Sequence, residues 1–283
     1  SDLSDLHATL IDLRSNFGQM MPIFRETEFI KTGNAPFPKN WKTIEIKNGV
    51  SDYGLGTIGL NNFNLILPRY SKTGLTGLSG SGKSTLAKII LGLYPLKAGE
   101  FKIGDKNYYS IAHNEILDNI TVVLQETELF NLSLRENITM MRDENKKLLD
   151  LAIGISELQS IIDKLPEGLD SLIGERGSAL SGGEKQRLGI ARAIYKNASI
   201  VLFDEATSAL DSETEGKIME KLLGGYGKDK TFLIIAHRLG TLKYTDNIAI
   251  IKSGEVMEEG DYKKLINDKT SLFYRMNQEQ NNK

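Results

Sequence analysis

The chain has 283 residues, 40% hydrophobic and 25% charged, an ordinary globular balance with enough apolar mass for one large core or two small ones. Lys+Arg 35 against Asp+Glu 37 leaves a formal net charge of -2, which gives no basic excess for a nucleic-acid surface, and the absence of cysteine excludes disulfides and thiolate metal sites. A reducing, cytosolic setting fits; no apolar run approaches the roughly 18–20 residues of a membrane span, and a start at Ser1 without a signal-peptide pattern reads as a piece of something longer.

In chain order, Leu3, Leu6, Leu10, Leu13, Phe17, Met20 and Phe24 keep an alternating three-four spacing that predicts an amphipathic helix. Such a stripe lies against its own domain, against a membrane domain from which it was severed, or against a partner. Gly18 and Pro22 weaken its second half, and residues 33–38 (Gly-Asn-Ala-Pro-Phe-Pro) read as a linker. Residues 1–40 are therefore expected to stand apart from a main domain over 41–276, with a polar, frayed tail over 277–283.

Ile44 and Ile46, then Phe63, Leu65 and Leu67, alternate with polar neighbours and predict an antiparallel β layer, with Tyr53 between the strands. Residues 73–76 (Thr-Gly-Leu-Thr) are expected to form the next strand, although Gly74 weakens it. There follows Gly77-Leu78-Ser79-Gly80-Ser81-Gly82-Lys83-Ser84-Thr85, which fits G-x-x-x-x-G-K-[ST], and Leu86, Ile89, Ile90 and Leu93 after it share one helical face. In this strand-loop-helix context Gly80 and Gly82 let successive N–H groups turn inward, Lys83 adds a charge for β- and γ-phosphates, and the Ser84 hydroxyl suits Mg²⁺. A nucleoside triphosphate is the expected ligand; the motif alone does not separate kinase, GTPase and transporter ATPase.

Phe101 and Ile103 lead into a Gly104-Asp105 turn, and residues 121–124 form a β-branched strand ending at Gln125. Between 127 and 184 the pattern turns helical, with Leu148, Leu149, Ala152 and Ile155 on one face and Leu158, Ile161 and Ile162 on another, which predicts an inserted helical lobe. Two apolar runs then close in polar residues: 199–203 at Asp204-Glu205, and 232–236 at His237. Because ligands of open α/β sheets sit beyond the carboxyl ends of the strands, Gln125, Asp204, Glu205 and His237 are expected to converge on the phosphate loop. Residues 248–251 and 255–256 flank Ser253-Gly254 as a hairpin, and the N-x-[ST] matches at Asn119, Asn131, Asn137 and Asn197 are read as chance.

Downstream of a phosphate loop, Asp204 is suited to hold Mg²⁺ and Glu205 to polarise an attacking water. Ser181-Gly182-Gly183 open a helix carrying Leu188, Ala191 and Ile194, so their N–H groups make a second anion site that a single triphosphate does not need from one chain.

At this point the run Leu180-Ser181-Gly182-Gly183-Glu184-Lys185-Gln186-Arg187 resembles the signature motif of ATP-binding cassette (ABC) proteins, which closes over ATP held by a second subunit. The resemblance extends in order from Trp41 to the end. Tyr53 is similar to the adenine-stacking aromatic, Gln125 to the glutamine that senses Mg²⁺ and the transport domain, Ser208-Ala209-Leu210-Asp211 to the loop touching the partner, and His237 to the switch histidine on γ-phosphate. Leu134-Arg135-Glu136-Asn137-Ile138 and Gly174-Glu175-Arg176-Gly177 resemble exporter segments that face coupling helices, which would make the Leu3–Phe24 stripe the cytoplasmic end of the last transmembrane helix.

The resemblance implies an α/β fold with a P-loop NTPase (RecA-like) core, an N-terminal antiparallel β layer and a helical subdomain. It implies an ATPase with ATP and Mg²⁺, a second nucleotide-binding domain and a transmembrane domain as partners, no nucleic acid, and a place on the cytoplasmic face of a membrane. Glu205, His237 and Gln125 would be catalytic; Tyr53, residues 79–85, Ser181, Gly182, Gly183 and Asp211 would contact nucleotide; Ser84, Gln125 and Asp204 would serve the metal. Departures are Glu184, where many relatives have glutamine, and Gly260-Asp261-Tyr262, where relatives often carry a histidine. The alternatives are a soluble cassette ATPase acting on nucleic acid or ribosomes, and a dimerisation switch without turnover.

Overall fold

The computed structural model describes residues 33–52, 58–174, 177 and 179–281. The expected helix from Leu3 to Phe24, Tyr53, Glu175 and Arg176 lie outside the described residues.

Strands β1 (Thr43–Asp52) and β2 (Ile58–Pro68) pair antiparallel, Ile44 opposite Leu67 and Ile46 opposite Leu65, and β1 also pairs with a later strand over Ala98–Ile103. Their alternating apolar residues all face inward. β3 (Lys72–Gly77) then starts a second sheet and feeds the phosphate loop, after which α1 (Lys83–Ile90) buries Leu86, Ile89 and Ile90. Leu93, expected on the same face, lies beyond the end of α1 and is exposed. β4 (Ala98–Ile103) and β5 (Lys106–Asn107) complete a four-stranded sheet in the order β2-β1-β4-β5. α2 (His113–Asn119) leads into β6 (Ile120–Val123).

The strand from 72 to 77 forms despite Gly74 because the fold uses the missing side chain: a Cβ there would come within 2.8 Å of Leu242 Cδ2. Thr76 is accommodated by donating its hydroxyl to the Ala236 carbonyl at 3.1 Å.

The helical lobe comprises α3 (Leu134–Thr139), α4 (Lys146–Ile155) and α5 (Gln159–Ile162). A small ribbon that periodicity did not predict ties its ends together: β7 (Leu132–Ser133) pairs with β8 (Leu172–Ile173). α6 (Gly182–Lys196) then leads back to β9 (Ile200–Asp204), α7 (Ser212–Glu220) and β10 (Thr231–Ile235). The hairpin β11 (Asn247–Lys252) and β12 (Glu255–Gly260) closes the sheet, followed by α8 (Tyr262–Asn267) and α9 (Leu272–Asn281). Of the frayed tail expected over 277–283, the described residues 277–281 belong to α9, whose first turn is fixed by Glu258.

The six strands run β12-β11-β3-β10-β9-β6, with β12 alone antiparallel. Both faces are covered, so the strands read as continuous apolar runs rather than alternations. Val201 and Phe203 of β9 join the core shared with the helices, whereas Ile200 and Leu202 join the core shared with α1 and the four-stranded sheet. Residues 33–38 are docked rather than loose. Ala35 bridges to Ile111, Phe37 is buried, and its N–H donates to Glu115 Oε2 at 3.0 Å. The main domain therefore begins before the expected boundary at 41. No helix of the described residues is long and apolar enough to cross a membrane.

Candidate functional site

Strand order builds the site. β10 lies between β3 and β9, so the segments leaving their carboxyl ends, the phosphate loop, His237 and Asp204-Glu205, emerge side by side. Together with Gly59, residues 79–85, Glu205 and His237 line one open cleft. Gln125 does not line it; β6 is the edge strand, three strand spacings or roughly 14 Å from β3. The expected convergence of four residues is thus met by Glu205, His237 and, through its charge on Lys83, Asp204, but not by Gln125 within this chain.

The phosphate loop is shaped for close backbone approach. Gly80 and Gly82 have φ of 76° and 110°. A Cβ at Gly82 would lie 2.4 Å from the Gly59 carbonyl, while one at Gly80 would meet nothing within 4 Å, so its open side faces the cleft. Ser81 Oγ is buried without a hydrogen-bond partner among the described residues. The loop is braced from behind by the hairpin, the Gly254 N–H donating to the Ser81 carbonyl at 2.9 Å.

Lys83 is 6% exposed, and its Nζ donates to the carbonyls of Gly77 at 2.8 Å and Leu78 at 3.0 Å. Burial lowers its pKa, while the carboxylates of Glu205 and Asp204 work the other way. Asp204 is raised by burial first and by the Glu205 charge second, with Lys83 and Lys88 opposing. Glu205 stands at φ 51°, an uncommon conformation for a side chain of its size. Its backbone is held there by an N–H donated to the Ile235 carbonyl at 3.0 Å and a bond accepted from the Ser208 N–H at 3.1 Å.

These groups fit a magnesium nucleotide by their chemistry: glycines at positive φ on the cleft, a buried ammonium, a buried Ser81 hydroxyl without a partner among the described residues, and the Glu205 carboxylate on the same cleft. No group of three or more His, Asp or Glu that could hold a metal occurs among the described residues. By chemistry the Ser84 hydroxyl and the Asp204 carboxylate suit Mg²⁺, which takes one or two protein ligands plus phosphate oxygens and water.

Ser181 caps α6 in a capping box: Glu184 N–H donates to Ser181 Oγ at 3.4 Å, and Glu184 Oε2 accepts the Ser181 N–H at 2.8 Å. That backbone bond, ahead of the one from the hydroxyl, holds the Glu184 carboxyl below its usual range. The unexpected glutamate thus has a local role as the N3 member of the cap. Ser181, Gly182 and Gly183 do not line the cleft; Gly183 lies against Ala209 of its own chain. Asp211 caps α7, accepting from the Thr214 N–H at 2.9 Å.

Several organising roles were not read from the sequence. Gln186 is buried; its Nε2 donates to the Gln125 carbonyl at 3.2 Å and Ser208 Oγ at 2.9 Å, and its Oε1 accepts the Ala209 N–H at 2.8 Å. Its position on the inward face of the signature helix was the available signal. Arg238 donates to the carbonyls of Leu210 and Ser208, both at 3.1 Å, tying the segment after His237 to the segment after Glu205. Asn137, from the segment expected to face coupling helices, is fully buried and bonded to Phe130, Leu132 and Ser133 backbone, so it shapes the loop behind Gln125.

The fold and cleft define a P-loop NTPase domain with an attached antiparallel layer and helical lobe. The family model for "ABC transporter" matches residues 60–208, and the chain belongs to that family. It is 37% identical over 226 residues, 79% of its length, to an ATP-dependent lipid A-core flippase of Haemophilus influenzae (strain 86-028NP). It is 41% identical over 248 residues, 86% of its length, to the alpha-hemolysin translocation ATP-binding protein HlyB of Escherichia coli O157:H7. The chain spans 38% and 35% of those two relatives. A solved bacterial Atm1-family ABC exporter with ATP bound superposes with a TM-score of 0.85 and 31% identity, covering 94% of this chain and 47% of that one.

Proposed function

We propose that this chain is the nucleotide-binding domain of an exporter, hydrolysing ATP with Mg²⁺ in a head-to-tail dimer on the cytoplasmic face of a membrane, coupled to a transmembrane domain. The observation that carries this is the single cleft in which the phosphate loop, Glu205 and His237 meet. The export reading rests on likeness to a flippase, a translocation protein and an Atm1-family exporter. None of these is named for nucleic acid, and the near-balanced charge favours no such partner.

In this reading Lys83 exchanges the Gly77 and Leu78 carbonyls for β- and γ-phosphate oxygens, which are charged and therefore stronger acceptors. N–H groups of residues 80–85 and the Ser81 hydroxyl take the remaining oxygens, and Tyr53 stacks on the adenine. Ser84 and Asp204 would hold Mg²⁺, which would neutralise phosphate charge; Gln125, expected as a further ligand, stands at the sheet edge away from this cleft. Glu205 accepts the proton of the attacking water as its oxygen bonds to the γ-phosphorus and the bond to ADP breaks; the proton then leaves with phosphate. His237 holds a γ-phosphate oxygen. The partner's copies of Ser181, Gly182, Gly183 and Asp211 complete the cage, since this chain's own do not line its cleft.

Glu205→Gln keeps the shape and removes the base, so turnover should fall about 10²–10⁴-fold. ATP binding should survive, and a dimer should accumulate with ATP on size-exclusion chromatography because a negative charge beside the γ-phosphate is gone. Phosphate release at the wild-type rate would overturn the assignment of Glu205 as the base, and no release from the wild type itself would favour a switch without turnover.

A further inference from the structure

We infer that Gln280, near the end of α9, is a positioning residue for His237, an inference that rests on the ATP-hydrolysing reading above. Gln280 Nε2 donates to the His237 carbonyl at 2.6 Å, and its Oε1 accepts the Leu239 N–H at 3.3 Å. One side-chain amide thus brackets the backbone on both sides of Arg238, whose guanidinium holds the Ser208 and Leu210 carbonyls. Residues 237–239 are fixed from two directions, by α9 and by the loop that follows Glu205.

α9 is built to carry such a bracket. Glu258 Oε2 accepts the N–H groups of Leu272 at 2.8 Å and Phe273 at 3.2 Å and the Ser271 hydroxyl at 3.1 Å, and the Phe273 ring is fully buried. From that anchor Leu272, Arg275, Met276 and Glu279 follow one helical stripe and line a cavity with Gly77 and Leu78, the start of the phosphate loop. Gln280 continues the stripe, four residues beyond Met276. The helix therefore spans from the base of the phosphate loop to the switch loop, and Gln280 sets the imidazole relative to Lys83. Its removal frees the His237 peptide without touching the phosphate loop.

The test uses the whole chain with Gln280→Ala, Gln280→Glu, His237→Ala and the double variant His237→Ala with Gln280→Ala. Gln280→Ala should lower kcat about 3- to 10-fold, the worth of one or two exposed hydrogen bonds, with the affinity for a fluorescent ATP analogue and the melting temperature unchanged. Amide exchange at Leu239, followed by mass spectrometry, should accelerate. Gln280→Glu keeps the acceptor for the Leu239 N–H but loses the donor to His237, so protection should persist while kcat falls partway. In the His237→Ala background, followed by single turnover over hours, Gln280→Ala should add no further loss. An unchanged kcat, an equal loss without the imidazole, or unchanged exchange at Leu239 would each overturn the inference. A wild type that does not hydrolyse ATP would instead sink the functional reading, and the exchange comparison would still decide whether the bracket forms.

Discussion

At the scale of single residues, charge placement dominates the cleft. Lys83 is the one buried ammonium of the phosphate loop, and Lys83→Ala should nearly abolish ATP binding by isothermal titration. Tyr53→Ala should weaken binding less, because a stacking contact is worth less than a desolvated charge on the phosphates; equal affinities for wild type and Lys83→Ala would contradict the site. Asp204 gives a test in the absence of nucleotide. Its pKa is raised, so the folded state holds the proton more tightly than the unfolded chain does. The stability this confers is fully present below the unfolded carboxyl range and is lost as pH rises through the folded value. Above that value Asp204→Asn should therefore stabilise the nucleotide-free protein, by less than about 1 kcal/mol after solvent screening. The difference should close in urea titrations as the pH drops below the carboxylate range.

At the scale of elements, α6 and the loop after β6 behave as one piece. Gln186, Gly189 and Arg192 lie three residues apart and face the segment that follows Gln125. Gln186 holds the Gln125 carbonyl, a Cβ at Gly189 would lie 2.4 Å from Thr127 Oγ1, and Arg192 donates to the Glu128 carbonyl at 2.7 Å and to Asn137. Burial pulls the Arg192 guanidinium down to about 10, so it remains charged at neutral pH. Asn137→Ala would leave several of these buried groups unpaired, and it should cost about 2–4 kcal/mol in urea unfolding. A change within 0.5 kcal/mol would show that water replaces the side chain without loss. Asn137, 0% exposed, leaves no room for a glycan in this fold, in keeping with the reading of its N-x-[ST] match as chance.

At the scale of the whole molecule, the separation of Ser181 and Gly183 from the cleft makes a single chain an incomplete ATPase in the reading proposed here. Specific activity should rise with protein concentration and level off when the dimer is saturated. Constant specific activity from dilute to concentrated protein, in a sample shown to stay monomeric, would count against a shared site.

Much of this architecture was legible because its signals are local. The turn from β3 into α1 demands glycine at positive φ followed by a lysine and a hydroxyl, and doubly covered parallel strands demand apolar runs such as 200–203 and 232–235, so those motifs and strands could be read directly. Distance was not legible in the same way. Gln125, Glu205 and His237 all follow strands, but only the order β3-β10-β9-β6 decides that two of them reach the phosphate loop and the third stands at the sheet edge. The docking of residues 33–38, the role of Gly74 as room for Leu242, and the reach of Gln280 to His237 likewise depend on contacts between distant segments. Periodicity reports which face of an element is buried, whereas the neighbour on that face is chosen by packing of the whole chain, and that choice was made only by the tertiary structure.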